Sequence, residues 1–472
     1  MKIAIENFGA IKKRVEIEPK PLTIFCGSNN TGKTYALYVL NALIDSRFVP
    51  SFDWTRQHAK ALLEQRRMMI EGSSWFGAEA IKNAQNNIAQ GLKLSLPKFF
   101  MADSELTDNA VFEISLSLPE IEAHLVNFEF SSGERSNSPE KEPMVMRCKF
   151  SDNWERIGLS LDGDWGTIAQ VERAVNNLLM DFYCPIRQGR AFLLPAERTG
   201  INLFARELID RRAKLLHHLI SDKLDTNELL KDIIVSRYPQ PIHDYIEFMN
   251  AQPEVKRQTS ENFSDLAAWL QKEVLRVKYK VDRNGAVSIA PLRSKMDLGL
   301  HLGSSTAKTF FGLWSYLNHL AQPGDCLMIN EPELNLHPLN QRNIARLLAE
   351  LVNRGIRVVV STHSDYMVRE WGNLVMLGDE FPDRDEIAKR HGLTSAQWLK
   401  ASDVNAYEFH ASSVNSMAVS TSNGISTPLF DESIEKLNAA AQEIYFAKQD
   451  TAEFTQKTAP VKVPAKSRKA RT

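Results

Sequence analysis

Hydrophobic and polar positions alternate at the start of the chain. "KIAIENF" and "RVEIEP" read as two half-exposed strands joined by a glycine-containing turn. "PLTIFC" is a short unbroken apolar run of the kind that forms a buried strand, and "GSNNTGKT" follows it directly. From Thr34 the period lengthens, with Leu37, Leu40 and Ile44 on one helical face until Pro50 closes the block. Residues 51–190 mix a helical stretch, "RQHAKALLEQRRMMIEG", with strand-like "AVFEISLSL", "VNFEFSSG" and "VMRCKFSD", a polar loop near 131–143 and a helix "IAQVERAVNNLLMDFY". The strand "AFLLPAERTG" breaks at Pro195.

Residues 201–275 carry helical periodicity almost throughout, and Arg206, Arg211, Arg212 and Lys214 crowd one of these helices. "YKVDRNGAVSIAP" is a hairpin pattern with "RNG" at its turn. A helix starts near Ser305. "DCLMIN" and "RVVVSTH" then read as buried strands around the helix "NQRNIARLLAELVNR", which Gly355 stops. "VNAYEF" reads as an edge strand and "DESIEKLNAAAQEIYFA" as a terminal helix. The last stretch, "TQKTAPVKVPAKSRKART", has six Lys or Arg, two Pro and no acid, so it is expected to be a disordered basic tail. The pattern divides the chain into residues 1–50 and 276–450, two parts of one α/β core, with 51–200 a mixed insert plus core strands, 201–275 a helical lobe, and 451–472 the tail.

Composition bounds this picture loosely. The 472 residues suit two or three lobes at roughly 150 residues each. With 43% hydrophobic residues, 24% charged residues and a net charge of −1, the chain has a globular composition and no uniformly basic coat. Cys26, Cys148, Cys184 and Cys326 form no C-x-x-C pair, which fits a reducing compartment better than a disulfide scaffold or a zinc ribbon. No apolar run reaches the roughly 18 residues of a membrane span, and the N-terminus reads as a strand pair rather than a signal peptide. The expected location is the cytoplasm.

The candidate chemistry lies at three strand ends. Residues 27–34 match the phosphate-binding pattern G-x-x-x-x-G-K-[ST] between a strand and a helix. Its backbone N–H groups, from Asn29, Asn30, Thr31 and Gly32 onward, suit a phosphate. Lys33 would reach the β- and γ-phosphates, and Thr34 would offer a hydroxyl to Mg²⁺. "CLMINEPELNLHP" is a buried strand ending in Asn330 and Glu331, with Glu331 the candidate general base for an attacking water. "VVVSTH" carries His363 to the tip of another strand, where it could sense a γ-phosphate.

Together, "IENFGAIKK" before the loop, "NEPELNLHP" and "STHSDYM" resemble ATP-binding-cassette-type AAA family ATPases, closest to their SMC/RecF/OLD-like branch. "LPAERTG" also looks familiar from it. The resemblance implies an ABC-type P-loop ATPase core with a mixed sheet and an inserted helical lobe, using ATP and Mg²⁺. It implies hydrolysis across a homodimer or higher homo-oligomer, with a signature loop from the partner on the γ-phosphate. "LGSSTAKTFFGLW" sits where that loop belongs, making Gly303, Ser304 and Ser305 candidate nucleotide contacts; a plain helix N-cap is the other reading. Residues 333 and 335–338 would form the loop that communicates across such an interface. Asn330 departs from the family's usual Asp at the metal, which implies either slow hydrolysis or a site that mainly holds ATP as a switch. Arg198 in "PAERTG" reads as an ion-paired structural residue or as a nucleotide or partner contact.

Single-chain OLD-like ATPases of this outline resemble components of bacterial anti-phage systems such as PARIS, Septu and ATPase-containing retrons. On that resemblance the chain would be a sensor or scaffold controlling a separate nuclease or toxin, since it carries no TOPRIM-like or HNH-like cluster of its own. The alternative is a RecF- or SMC-like DNA-repair ATPase, with the Arg-rich helix and basic tail on DNA. A transporter subunit is disfavoured by the signature loop and the large insert.

Overall fold

The computed structural model describes residues 1–52, 55–125, 131–134, 144–151, 154–204, 238–258, 260–294, 296–411 and 413–458. Within them, the unbroken apolar runs pair as the centre of a six-stranded sheet. Its order is Val414–Met417, Val404–Phe409, Leu22–Gly27, Arg357–Thr362, Cys326–Asn330 and Ala191–Leu194. The first pair is antiparallel and every other pair is parallel. Parallel strands are joined by crossovers that cover the sheet faces, which explains why Leu22–Gly27 and Cys326–Asn330 are buried at every position.

The register sets the site. Thr362 pairs with Cys26 and Ser361 with Asn330, so the glycine-loop strand, the histidine strand and the acidic strand end level. The histidine strand lies between the other two, and neighbouring strands run about 4.8 Å apart. The acidic tip therefore stands about 10 Å from the loop strand, leaving a crevice beyond the carboxyl ends where open α/β sheets hold ligands. Helix Lys33–Ile44 leaves the loop and buries Lys33 and residues 36–44 over the central strands.

Two antiparallel sheets flank this core. Lys2–Glu6 lies between Val15–Ile17 and Val111–Ser115. Arg67–Glu71, Arg156–Asp162, Met144–Phe150 and Ser131–Glu134 form the second. Both sheets share one hydrophobic core with helices Lys33–Ile44, Ala78–Phe100 and Ile168–Tyr183. The "RNG" hairpin forms with Val281 opposite Val287. By its contacts the chain divides into Met1–Ser426 and a second unit from Thr427. Among the described residues that second unit is one helix, Pro428–Thr458. No described helix is long and apolar enough to cross a membrane.

Several expectations need correction. "RRMMIE" does not continue the preceding helix: Arg66 turns left-handed at φ 61° and Arg67–Glu71 becomes a strand on Arg156–Asp162. The 23-residue helix Ala78–Phe100 is an additional element: Ile81, Ala84, Ile88, Leu92 and Leu96 recur along it at spacings of three and four, and Gly91 and Pro97 do not break it. "VNAYEF" is an interior strand, since Val414–Met417 pairs along its outer side. The terminal helix runs on to Thr458, so the stretch from 451 to 458 is helical rather than a tail. The Arg-rich segment 206–214, the stretch "NELLKDIIVSRY" up to residue 237 and the tail beyond 458 lie outside the described residues.

Candidate nucleotide site

The glycine loop is shaped by backbone that side chains would obstruct. Gly27 has φ 129°, and a Cβ there would stand 2.1 Å from the Phe409 carbonyl oxygen of the adjacent strand. Gly32 has φ 106°, with Ile11 as close as 2.6 Å to a Cβ. Between them Asn30 is also left-handed at φ 61°. Such dihedrals curl the chain tightly, the backbone shape with which successive N–H groups can form an anion-binding nest. Thr31 Oγ1 braces the curl by donating to the Ser28 carbonyl at 2.9 Å. Lys33 is 5% exposed and donates through Nζ to the carbonyls of Gly27 at 3.1 Å and Ser28 at 2.5 Å. Burial lowers its pKa to about 8, against the pull of Glu331 and Glu333.

Across the crevice, the acidic tip is cross-linked to the histidine strand. Ser361 Oγ donates to Asn330 Oδ1, and the Glu331 N–H donates to the Ser361 carbonyl at 2.8 Å. Asn330 Nδ2 faces Thr34 Oγ1 at 3.5 Å. Glu333 turns inward and accepts from Thr362 Oγ1 at 2.8 Å and from the His363 N–H at 2.5 Å. Burial raises the Glu333 pKa in spite of those donors. His363 is half-buried; burial and the nearby Lys33 ammonium lower its pKa, so it is neutral at neutral pH.

Asn29, Asn30, Thr31, Gly32, Lys33, Thr34, Asn330, Glu331 and His363 come together, with Tyr35, around one cleft of about 250 Å³. Gly303, Ser304 and Ser305 do not line it. They stand at the start of helix Ser305–His319, where Ser304 Oγ caps the helix by accepting from the Ala307 N–H at 3.1 Å. Ser304 and Ser305 are both exposed. The oxygen donors at the cleft suit a hard cation such as Mg²⁺: Thr34 would hold it beside the phosphates, with Glu331 as the nearby carboxylate. Asn330 contributes a neutral amide whose oxygen already accepts from Ser361.

Among the described residues Arg198 has no carboxylate ion-pair partner. It is 1% exposed, does not line the cleft, and donates to the carbonyls of Pro195 at 2.9 Å, Asn330 at 2.6 Å and Glu331 at 2.6 Å. Sequence reasoning also missed Ser361 and Thr362. Two hydroxyls ending an apolar strand, 1% and 0% exposed, were the available signal.

The chain belongs to the AAA ATPase domain family, whose model matches residues 1–154 and 204–368. The matched stretches contain the glycine loop, Glu331 and His363, while Arg198 falls between them. The family implies an ATPase that binds nucleotide, usually with Mg²⁺. No curated protein matches the chain. Solved structures with some likeness include the SmcHead bound to the C-winged helix domain of ScpA, at 11% identity over 89% of this chain and 98% of that one, TM-score 0.31. The Smc head domain with an extended coiled coil, bound to the C-terminal domain of ScpA and derived from Pyrococcus furiosus, covers 94% and 98% at 12% identity and 0.31. The SMC head domain from Thermotoga maritima covers 89% and 98% at 12% identity and 0.30. Scores this low add nothing to the fold, which rests on the sheet order and the family match.

Proposed function

We propose that the chain binds ATP and hydrolyses it slowly, as a homodimer or higher homo-oligomer, and acts as a switch. The observation that carries this reading is the meeting of Lys33, Thr34, Asn330, Glu331 and His363 around one cleft. In this reading Lys33 leaves its loop carbonyls for the β- and γ-phosphates. Glu331 orients and deprotonates the attacking water, and neutral His363 hydrogen-bonds the γ-phosphate or that water. Mg²⁺, when bound, neutralises phosphate charge. Asn330 supplies a neutral amide where a carboxylate would add a negative charge, which favours slow turnover. Exposed Ser304 and Ser305 at a helix start suit the phosphate of a partner's nucleotide.

Phosphate release from Mg·ATP tests the activity, and Asn330→Asp tests the speed. The wild type is expected to turn over slowly and Asn330→Asp several-fold faster. A wild type that releases no phosphate even at high enzyme concentration overturns the hydrolysis reading and leaves a binding-only switch. Sedimentation with and without ATP tests the oligomer.

The cellular role we favour is a cytoplasmic sensor or scaffold in bacterial anti-phage defence that controls a separate nuclease or toxin. It rests on the family resemblance of the three motifs. Plating efficiency of phage on cells carrying the gene with its neighbours, against the same cells carrying Lys33→Ala, tests it; equal plating on both would contradict it. A DNA-repair or DNA-binding ATPase of RecF or SMC type is the second reading, favoured by the acid-free basic end of the sequence. Salt-dependent duplex binding that is lost on removing residues 455–472 would select it.

A further inference from the structure

We propose that Arg198 is a positioning residue for hydrolysis, clamping the left-handed turn at Glu331 that holds its carboxylate in the cleft. The inference rests on the reading of Glu331 as the base.

Glu331 occupies a backbone conformation its sequence opposes. It has φ 53°, which for a residue with a Cβ costs about 1–2 kcal/mol relative to the right-handed region. It also precedes Pro332, whose ring pushes the preceding residue toward extended backbone. Such a conformation persists only where its surroundings over-determine it. Here they do so on both sides of the residue. The Glu331 N–H is tied to the Ser361 carbonyl at 2.8 Å. The carbonyls of Asn330 and Glu331, on either side of the Glu331 Cα, each accept from Arg198 at 2.6 Å.

A guanidinium suits that task. Its planar fork presents two nitrogens at fixed separation, so one rigid group can hold two successive carbonyls in a set relation. Nη1 also donates to the Pro195 carbonyl at 2.9 Å, which fixes the fork to the turn just before its own helical segment. The neighbouring residue anchors the start of that helical segment in turn. Thr199 Oγ1 lies 2.7 Å from Thr309 Oγ1 on helix Ser305–His319, and Asn335 Nδ2 donates to Thr309 Oγ1 at 2.9 Å. Arg198 does not line the cleft, so its influence on the reaction passes through Glu331.

The test measures ATP affinity and single-turnover hydrolysis for full-length Arg198→Ala and Arg198→Lys, beside Glu331→Gln. An ammonium has three donors on one freely rotating centre and lacks the rigid planar fork, so Arg198→Lys should hold the two carbonyls less firmly and the two variants should form a graded series. ATP affinity should stay within about threefold, while hydrolysis falls up to about a hundredfold in Arg198→Ala and less in Arg198→Lys, the cost of misplacing a reacting group by about 1 Å. Low-millimolar guanidinium should restore part of the Arg198→Ala rate by filling the vacated site, which a general loss of structure would not allow. If Arg198→Ala does not fold, Arg198→Lys decides alone. Wild-type hydrolysis in the folded variants overturns the clamp, and so does equal loss of affinity and rate. If Glu331→Gln itself hydrolyses normally, the reading of the base has failed; if Glu331→Gln is inactive while the Arg198 variants run at full rate, only the clamp has failed.

Discussion

The glycine loop and the tip of the acidic strand face each other across one cleft, but different parts of the chain hold them. The loop is braced by its own neighbours: Thr31 and Lys33 bond to the Ser28 carbonyl, and the glycines supply the curl. The tip is braced from a distance. Arg198 reaches Asn330 and Glu331 from more than 130 residues earlier in the sequence, and Ser361, Thr362 and His363 hold Asn330, Glu331 and Glu333 from about 30 residues later. On the proposed function, a phosphate grip would be a local property, while the placement of the proposed hydrolytic carboxylate would belong to the whole sheet edge. Binding and hydrolysis should come apart under mutation along that line.

The largest separation on the binding side should come from Lys33→Ala, which removes the one buried cation of the loop. Hydrogen bonds to charged groups contribute about 1.5–3 kcal/mol each, so ATP affinity should fall roughly ten- to hundredfold or more in calorimetry. Unchanged affinity would mean that the loop does not grip phosphate through Lys33. A pH series sharpens the same half. Phosphate favours the ammonium form, and the Lys33 pKa in the free chain is lowered to about 8. ATP affinity should be level below about pH 8 and weaken by about tenfold per unit above it, because binding must then take up a proton. The sign is opposite to a requirement for a neutral amine, which would strengthen binding as pH rises. The smallest effect concerns the candidate signature loop. As an N-cap, Ser304 is worth about 1 kcal/mol, so Ser304→Ala should lower the melting temperature by a few degrees. A loss of hydrolysis beyond that, appearing only at concentrations where the chain self-associates, would assign Ser304 to a partner's nucleotide.

The same division explains what the sequence made legible. The loop could be read because its chemistry lies in eight consecutive residues between a buried strand and a helix. The parallel core followed from unbroken runs such as "RVVVST", whose burial needs cover on both faces. Arg198 was not legible in its actual role. In sequence, a buried Arg suggests a carboxylate partner, whereas here it serves three carbonyls that only the register of the sheet brings near. Nor could Glu331 be read as left-handed, since a Glu before a Pro predicts extended backbone. In the insert, the strand Arg67–Glu71 is hidden in sequence because local periodicity there is weak and its pairing with Arg156–Asp162 is distant.

Single-turnover hydrolysis of Mg·ATP by the wild type and by Glu331→Gln, with ATP affinity measured on the same samples, tests the central claim most directly. Loss of a general base typically costs about 10²–10⁴ in rate. The account predicts a loss of that order in Glu331→Gln with ATP bound as tightly as before. A wild type no faster than Glu331→Gln would contradict it.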